Sequence, residues 1–457
     1  MWRAAQMLVL RWGAHMGRAL RLRFTPSGRA VLAAAIVATA FGIDIARTRA
    51  LQVAAAATGL LLVSAIFLLR RRPRIACSRE LPRYGTVGVP LAYTLRITNL
   101  STSRSLAEFE LVDELAASWP TREEYARFVE PDRLDGPLER WLGFRRWLRL
   151  ALTRRGGIIP ARHAHALPPG AAASLEMALQ PLRRGYLHFG HACLCMPDPL
   201  GLINALQSGG APDRLLILPR RYAVPRLDAG MSRRHQAGRL PRASNVGDSQ
   251  EFLALREYTR GDPLRHIHWR SWARTGAPIV KQFENEYLSR LALILDTCTP
   301  PGLPLEAALS IGASYLTGDH PADMVIDLML MGPRLFESSS GRGLGTVDAQ
   351  LALLACAEPA PPGEFHRFTR GVLAVLPRIS AAIIVLPQWD ESRRAFLRAL
   401  RARGMPLQCF VTSHGTPSAP VTDAEGVLAV RPESMAEDLA RHRARMSSVA
   451  PAMAVHA

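Results

Sequence analysis

Lysine is almost missing from this sequence. Lys281 stands alone among 57 basic residues, and the rest are arginine. A formal net charge of +19 would ordinarily point to nucleic acid. Here the excess reads as an arginine habit in a chain rich in Ala, Gly and Pro, and much of it flanks apolar segments. No nucleic-acid-binding motif accompanies it, so no such partner is expected. Phosphate loops are also missing: no GxxxxGK[ST] occurs, and no GxGxxG follows a strand. Nucleotide hydrolysis is therefore not expected. Neither G-x-S-x-G nor H-E-x-x-H is present, and no cofactor is implied. Cysteines are few: Cys77, Cys193, Cys195, Cys298, Cys356 and Cys409, with no CxxC pair. Neighbours two apart in a strand make a poor disulfide, so reduced thiols on the cytosolic side are expected.

What the chain does have is a long apolar run. Ala50–Leu69 is free of charge, and twenty residues at about 1.5 Å each span roughly 30 Å of hydrocarbon. A weaker candidate, Ala30–Ala46, precedes it and carries Asp44. Only Arg47-Thr48-Arg49 separates them, which predicts a two-helix transmembrane hairpin over residues 27–72. A cleaved signal peptide fits poorly, because the apolar run starts late and a second follows at once. Arginines crowd both outer ends of the hairpin, so positive-inside logic puts both termini in the cytoplasm at the inner membrane. Residues 1–26 interleave arginine with Trp, Leu, Met and Val, the composition of a basic amphipathic helix on anionic lipid.

Residues 73–220 read as β-rich. The segments 89–98, 106–113, 173–181 and 185–196 alternate apolar and polar residues, with Gly and Pro between them, as in a small β-sandwich. An insertion at 114–160 breaks this texture, and Glu139–Leu152 has helical spacing. MPDPLGLINAL, 196–206, reads as a turn whose Asp198 accepts backbone N–H bonds. After a linker and motif at 221–288, residues 289–415 alternate short apolar strands with helices. That pattern predicts a mostly parallel sheet covered on both faces, in an α/β domain. Ligands in such folds bind at the carboxyl ends of strands, which directs attention to Asp296–Pro300 and to Gln388-Trp389-Asp390. The serine- and glycine-rich stretch 338–348 reads as a loop, and 416–457 as a tail.

Between the two domains lies REYTRGDPLRHIHWRSWARTG, 256–276. Asp262 followed by Pro263 is a good helix start, which predicts about three helical turns over Asp262–Arg274. The stretch resembles the signature of the bacterial domain of unknown function fifty-eight, roughly R-E-Y-x-x-G-D-x-x-R-x-I-x-W-x-x-x-A-R. This sequence supplies Arg256, Glu257, Tyr258, Gly261, Asp262, Arg265, Ile267, Trp269, Ala273 and Arg274. LRRGYLHFG and DPLGL look like further elements of that family, and the paired apolar segments match it too.

The resemblance implies a membrane-anchored protein with a von Willebrand A-like, doubly wound parallel sheet. It also implies association with MoxR-type AAA+ ATPases and transglutaminase-like membrane proteins, and no enzymatic activity. Such domains often hold Mg²⁺ through D-x-S-x-S. Here Asp296 is kept, but Cys298 and Pro300 stand at the serine positions. A thiol suits Mg²⁺ poorly and proline offers no side-chain oxygen, so no metal is expected.

Three readings of the motif stay open. Arg256, Glu257, Asp262, Arg265 and Arg274 form an ion-pair network capped by Trp269 and join the two domains. Or the Trp- and Arg-rich surface docks a partner. Or Asp262, His266 and His268 do metal or acid–base chemistry, although H-x-H on a helix would point the rings about 200° apart. The expected function is a cytoplasm-facing adaptor or scaffold acting with the ATPase. The runner-up is an accessory hydrolase or peptidase of cell-envelope metabolism.

Overall fold

The computed structural model describes residues 2–41, 48–69, 74–116, 119–127, 143–225, 250–259, 262, 264–285, 289–320, 324–332, 334–341, 344–404, 406–413 and 426–449. The chain forms two compact units, Met1–Arg220 with Leu354–Cys356, and Arg221–Leu353 with Ala357–Ala457.

Three helices open the first unit: α1 (Trp2–Arg23), α2 (Pro26–Phe41) and α3 (Thr48–Leu69). Within α3, Arg49–Leu68 is long and apolar enough to cross a membrane, and among the described residues it is the one helix that is. Of the first expected span, residues 30–41 are described and belong to α2. α2 has 16 residues, roughly 24 Å of helix, less than a hydrocarbon core. Residues 42–47 lie outside those described.

Strands β1 (Ile75–Glu80), β2 (Tyr84–Thr86), β3 (Leu91–Asn99) and β4 (Phe109–Val112) lead into the insertion. There the helical pattern settles as Phe144–Arg155, ended by Gly156 in the left-handed region, with Trp147 fully buried. Trp147 and Ala151 form a small core with Met7 and Leu10 of α1, and Trp119 stacks on Trp147 at 5.3 Å. Beyond it come β5 (Gly157–Ile158), β6 (Arg162–Ala164), β7 (Ala172–Pro181), β8 (Gly185–Phe189), β9 (Ala192–Pro197), β10 (Asn204–Gly209) and β11 (Asp213–Leu218). They make sheets ordered β1-β3-β7-β5, β10-β9-β4-β6 and β2-β11-β8. Alternation puts Tyr93, Leu95 and Ile97 of β3 on one face, and these share a core with Met177, Leu111, Leu194, Phe189 and Ile217 from the other strands. The single run 185–196 is two strands, turned at Gly190–His191.

The 198–203 turn grips the helices. Asp198 accepts from the N–H groups of Leu200, Leu202 and Ile203 at 3.2, 2.6 and 2.9 Å. Burial works against its charge, yet these backbone bonds hold the Asp198 carboxyl, which lies near Ser64 of α3, below its ordinary value. The outer side of the turn meets the α1–α2 junction. Thr25 donates from Oγ1 to the Gly201 carbonyl at 2.5 Å and from its N–H to the Leu202 carbonyl at 3.1 Å. The same Oγ1 caps α2 by accepting from Gly28 N–H at 3.0 Å, with Pro26 in the first helical position. A Cβ on Gly28 would stand 1.8 Å from the Leu202 carbonyl oxygen, so only glycine fits. Asn204 donates from Nδ2 to the Leu22 carbonyl at 2.9 Å.

The second unit starts with 221–225, read from sequence as linker. It packs instead on the helix Leu303–Leu316: Tyr222 N–H donates to Ser314 Oγ at 2.8 Å, and the Tyr315 hydroxyl to the Pro225 carbonyl at 3.0 Å. Strands β12 (Gln250–Glu257) and β13 (Ile279–Asn285) form an antiparallel ribbon. A six-stranded sheet follows, built from β14 (Ser289–Leu295), β15 (Met324–Met331), β16 (Leu335–Ser340), β17 (Ala381–Leu386), β18 (Leu407–Val411) and β19 (Val427–Ala429). Its order is β16-β15-β14-β17-β18-β19, parallel except for the antiparallel edge strand β16. Strand order reverses about β14, as in a doubly wound sheet. Two sequence expectations change here. Ser338–Ser340 belong to β16 and not to a loop, because they pair with β15. The supposed tail supplies β19 and the helix Met435–Val449, since Val427 and Leu439 find places in the core.

Asp198→Ala strands buried N–H groups and should cost about 1–3 kcal/mol, read as a lower denaturation midpoint in detergent; an unchanged midpoint would refute the role of the turn. In the second unit, burial opposes the charge of Asp438, but Arg431 and Ser434 hold its carboxyl down to about 2. An unfolded aspartate titrates near ~3.9, so this stabilisation is present above about pH 4 and fades as pH falls toward about 2. The stability gap between wild type and Asp438→Asn should close over that window.

Candidate functional site

The motif forms the connection between β12 and β13. Glu257 pairs with Ile279, and Tyr258 N–H donates to the Pro278 carbonyl at 2.9 Å, closing its base. Ile267 bridges to Val280, and both are buried, at 7% and 2% exposure. The motif's isoleucine thus pins the connection onto the ribbon.

The expected long helix is not what forms. Asp262 does not cap one: its carboxylate takes Arg256 in a two-pronged ion pair at 2.6 and 2.8 Å and accepts from Thr259 N–H at 2.9 Å. Arg256 first, and then Thr259, hold the Asp262 carboxyl below its ordinary value. A short 3₁₀ turn, Leu264–His266, comes next, followed by the helix Trp269–Thr275. Gly276 ends that helix at φ 74, a left-handed conformation that glycine adopts without penalty. Gly261 lies outside the described residues.

The network reading also changes. Arg256 and Asp262 pair, but Glu257, Arg265 and Arg274 are exposed, and Trp269, expected as a cap, is 65% exposed. Trp272 stacks on it at 5.3 Å. Arg270 and Leu264 are exposed as well. His266 sits on the 3₁₀ turn and His268 at the helix start, where its Nδ1 is 2.6 Å from Ser271 Oγ. The two histidines are therefore not rungs of one helix.

A second site lies where β14 ends. Asp296 is fully buried, and Arg393 of the helix Glu391–Arg401 reaches it. Arg393 Nε donates to Asp296 Oδ2 at 2.9 Å, Nη2 to the Cys298 carbonyl at 2.8 Å and Nη1 to Asp390 Oδ2 at 2.5 Å. Asp390 caps the same helix, accepting from Arg393 N–H at 2.9 Å. The guanidinium lies 4.2 Å from the centre of the Phe365 ring. Burial pushes the Asp296 carboxyl up, and Arg393 opposes that push. Thr297 turns away, its Oγ1 bonded to the Met331 carbonyl at 2.5 Å.

The residues here do not fit a divalent cation. The side chains of Cys298 and Pro300 give the loop no oxygen, and the carboxylate that would lead the ligand set is held by an arginine. The guanidinium supplies the positive charge at the strand end. The sequence had drawn attention to Asp390. It did not single out Arg393, although an aspartate cap with arginine three residues on was there to see.

Mg²⁺ or Mn²⁺ should leave the melting temperature of the purified protein where EDTA leaves it; a metal-dependent rise abolished by Asp296→Asn would overturn this. Arg393→Ala should destabilise by about 3–5 kcal/mol, the cost of leaving a buried carboxylate unpaired. Arg393→Lys should recover only part, because it restores charge without the planar fork.

Comparison with solved structures gives weak likenesses. A CARDB domain from Pyrococcus furiosus is 8% identical, covering 32% of this chain and 93% of that one, with a TM-score of 0.17. The cohesin module of a Clostridium perfringens family 33 glycoside hydrolase is 10% identical over 32% of this chain and 98% of that one, with a TM-score of 0.17. Salmonella alpha-2-macroglobulin is 15% identical over 33% of this chain and 7% of that one, with a TM-score of 0.18. At these scores none of them carries an argument. No curated protein matches the chain. Residues 254–300, from β12 through the motif to the Asp296 loop, match the model of the family described as Protein of unknown function DUF58, and this match supports the resemblance carried by the motif.

Proposed function

We propose that this chain is a membrane-anchored adaptor or scaffold, not an enzyme, and that it docks a partner on the connection between β12 and β13. The observation that carries the reading is Trp269, 65% exposed and backed by Trp272, beside exposed Arg265, Arg270 and Arg274. An apolar side chain of that size in water, on a segment that carries three exposed cations, has the composition of an interface hot spot. Guanidinium groups favour a carboxylate-bearing partner surface. By family resemblance that partner is a MoxR-type AAA+ ATPase engaged in protein remodelling or maturation, with a transglutaminase-like membrane protein as a further neighbour.

The strand order of the C-terminal sheet, with its antiparallel edge, supports a von Willebrand A-like reading. Anchoring in the inner membrane is supported by α3. Two spans with both ends cytoplasmic are supported by the 198–203 turn, which meets the start of α2 at Gly28 and the later part of α3 at Ser64. One face of the hairpin would then lead both ways into the same compartment.

Affinity capture from gently solubilised native membranes, with and without ATP, tests the proposal. A MoxR-type ATPase should co-purify with wild type. It should fall at least tenfold with a folded Trp269→Ala/Arg265→Ala variant, as loss of a hot spot worth about 2 kcal/mol or more predicts. Equal recovery with both proteins would remove the motif as the docking surface.

A further inference from the structure

The helix α1 has two apolar faces, and only one is covered. Met7 and Leu10 are buried with Trp147 and Ala151, and Ala14 packs on the same cluster. Leu8, Trp12 and Met16 recur at one-turn spacing on the other side and are 70%, 63% and 41% exposed. Val9 widens this stripe. A helix already docked by one face gains nothing in water from a second apolar one.

The charges around it have one sign. Arg11 and Arg18 lie between the two faces, and Arg23 extends the open one; all are exposed. Arg18 is engaged by Glu114, and Arg11 reaches the Pro120 carbonyl at 3.3 Å. No Asp or Glu precedes Asp44 in the chain. A second copy on this face would bring arginine against arginine. Tryptophan and arginine on one side of a helix that leads into apolar segments fit a bilayer interface. Thr25 and Gly28, held by the 198–203 turn, fix how α1 leaves α2, so the face is presented already ordered.

We propose that the Leu8–Trp12–Met16 face of α1 lies in the interface of an anionic lipid leaflet, with Arg11 and Arg23 among the headgroup phosphates. The inference rests on the reading that α3 crosses a membrane. It adds that the first unit touches the leaflet along a second line.

The test uses the full chain in nanodiscs, in a background where Cys77 and Cys356 are replaced by serine. A nitroxide is placed at Trp12→Cys and, as a reference within the span, at Val63→Cys. Collision with oxygen and with a water-soluble nickel complex is measured in phosphatidylcholine alone and in an equal mixture with phosphatidylglycerol. In the anionic mixture both labels should favour oxygen. The label at position 12 should shift toward nickel in the neutral lipid and in an Arg11→Gln/Arg23→Gln variant, by about fivefold for each surface arginine lost. If position 12 favours nickel while position 63 favours oxygen, the face stands in water and the proposal fails while the anchor survives. If both favour nickel, both fail. Spin–spin broadening between copies at position 12 would show a protein interface and overturn the lipid assignment.

Discussion

The carboxyl end of the C-terminal sheet is organised around one guanidinium. Arg393 joins the end of β14, through Asp296 and the Cys298 carbonyl, to the start of its own helix at Asp390. Buried charge survives only when paired and hydrogen-bonded, and each partner here depends on the others. The helix cannot slide without stranding Asp296, and the loop cannot open without losing Arg393. Phe365, beneath the guanidinium, ties the same point into the core that contains Phe368, Phe396 and Trp389. A position that in many related sheets receives ligands is here closed by the chain itself.

The regular elements were legible because their periodicity is strong. β17 is a continuous apolar run, β14, β15 and β18 are broken only by Ser289-Arg290, Asp327 and Gln408, and β3 and β7 alternate, so the core dictates both patterns. The motif departs from its local pattern in a particular way. Asp262-Pro263 has the form of a helix start, but the bidentate ion pair with Arg256 wins the aspartate, and the helix begins later without a side-chain cap. The two partners are six positions apart, and no local propensity encodes that choice. Arg393 was missed because an arginine on an amphipathic helix reads as solvated surface, while its burial depends on where β14 ends.

The segments that resemble the family's elements take on distinct physical roles. The motif's isoleucine is an anchor, its Arg256–Asp262 pair shapes the connection, and its tryptophan faces outward. The D-P-x-G-L turn, far away in sequence, serves the helices. Its aspartate fixes the turn from within, so that carbonyls at Gly201 and Leu202 face Thr25.

That turn leaves no slack. Gly28 sits so close to the Leu202 carbonyl that even a methyl group is excluded, and Thr25 and Asn204 fasten both sides of the junction. Asp198 stands at the end of β9, and Asn204 opens β10. A change in the tilt of α2 therefore reaches those strands without a linker to absorb it. In mechanical terms the junction is a lever and not a tether: torque on α2 becomes rotation of the strands that the turn joins.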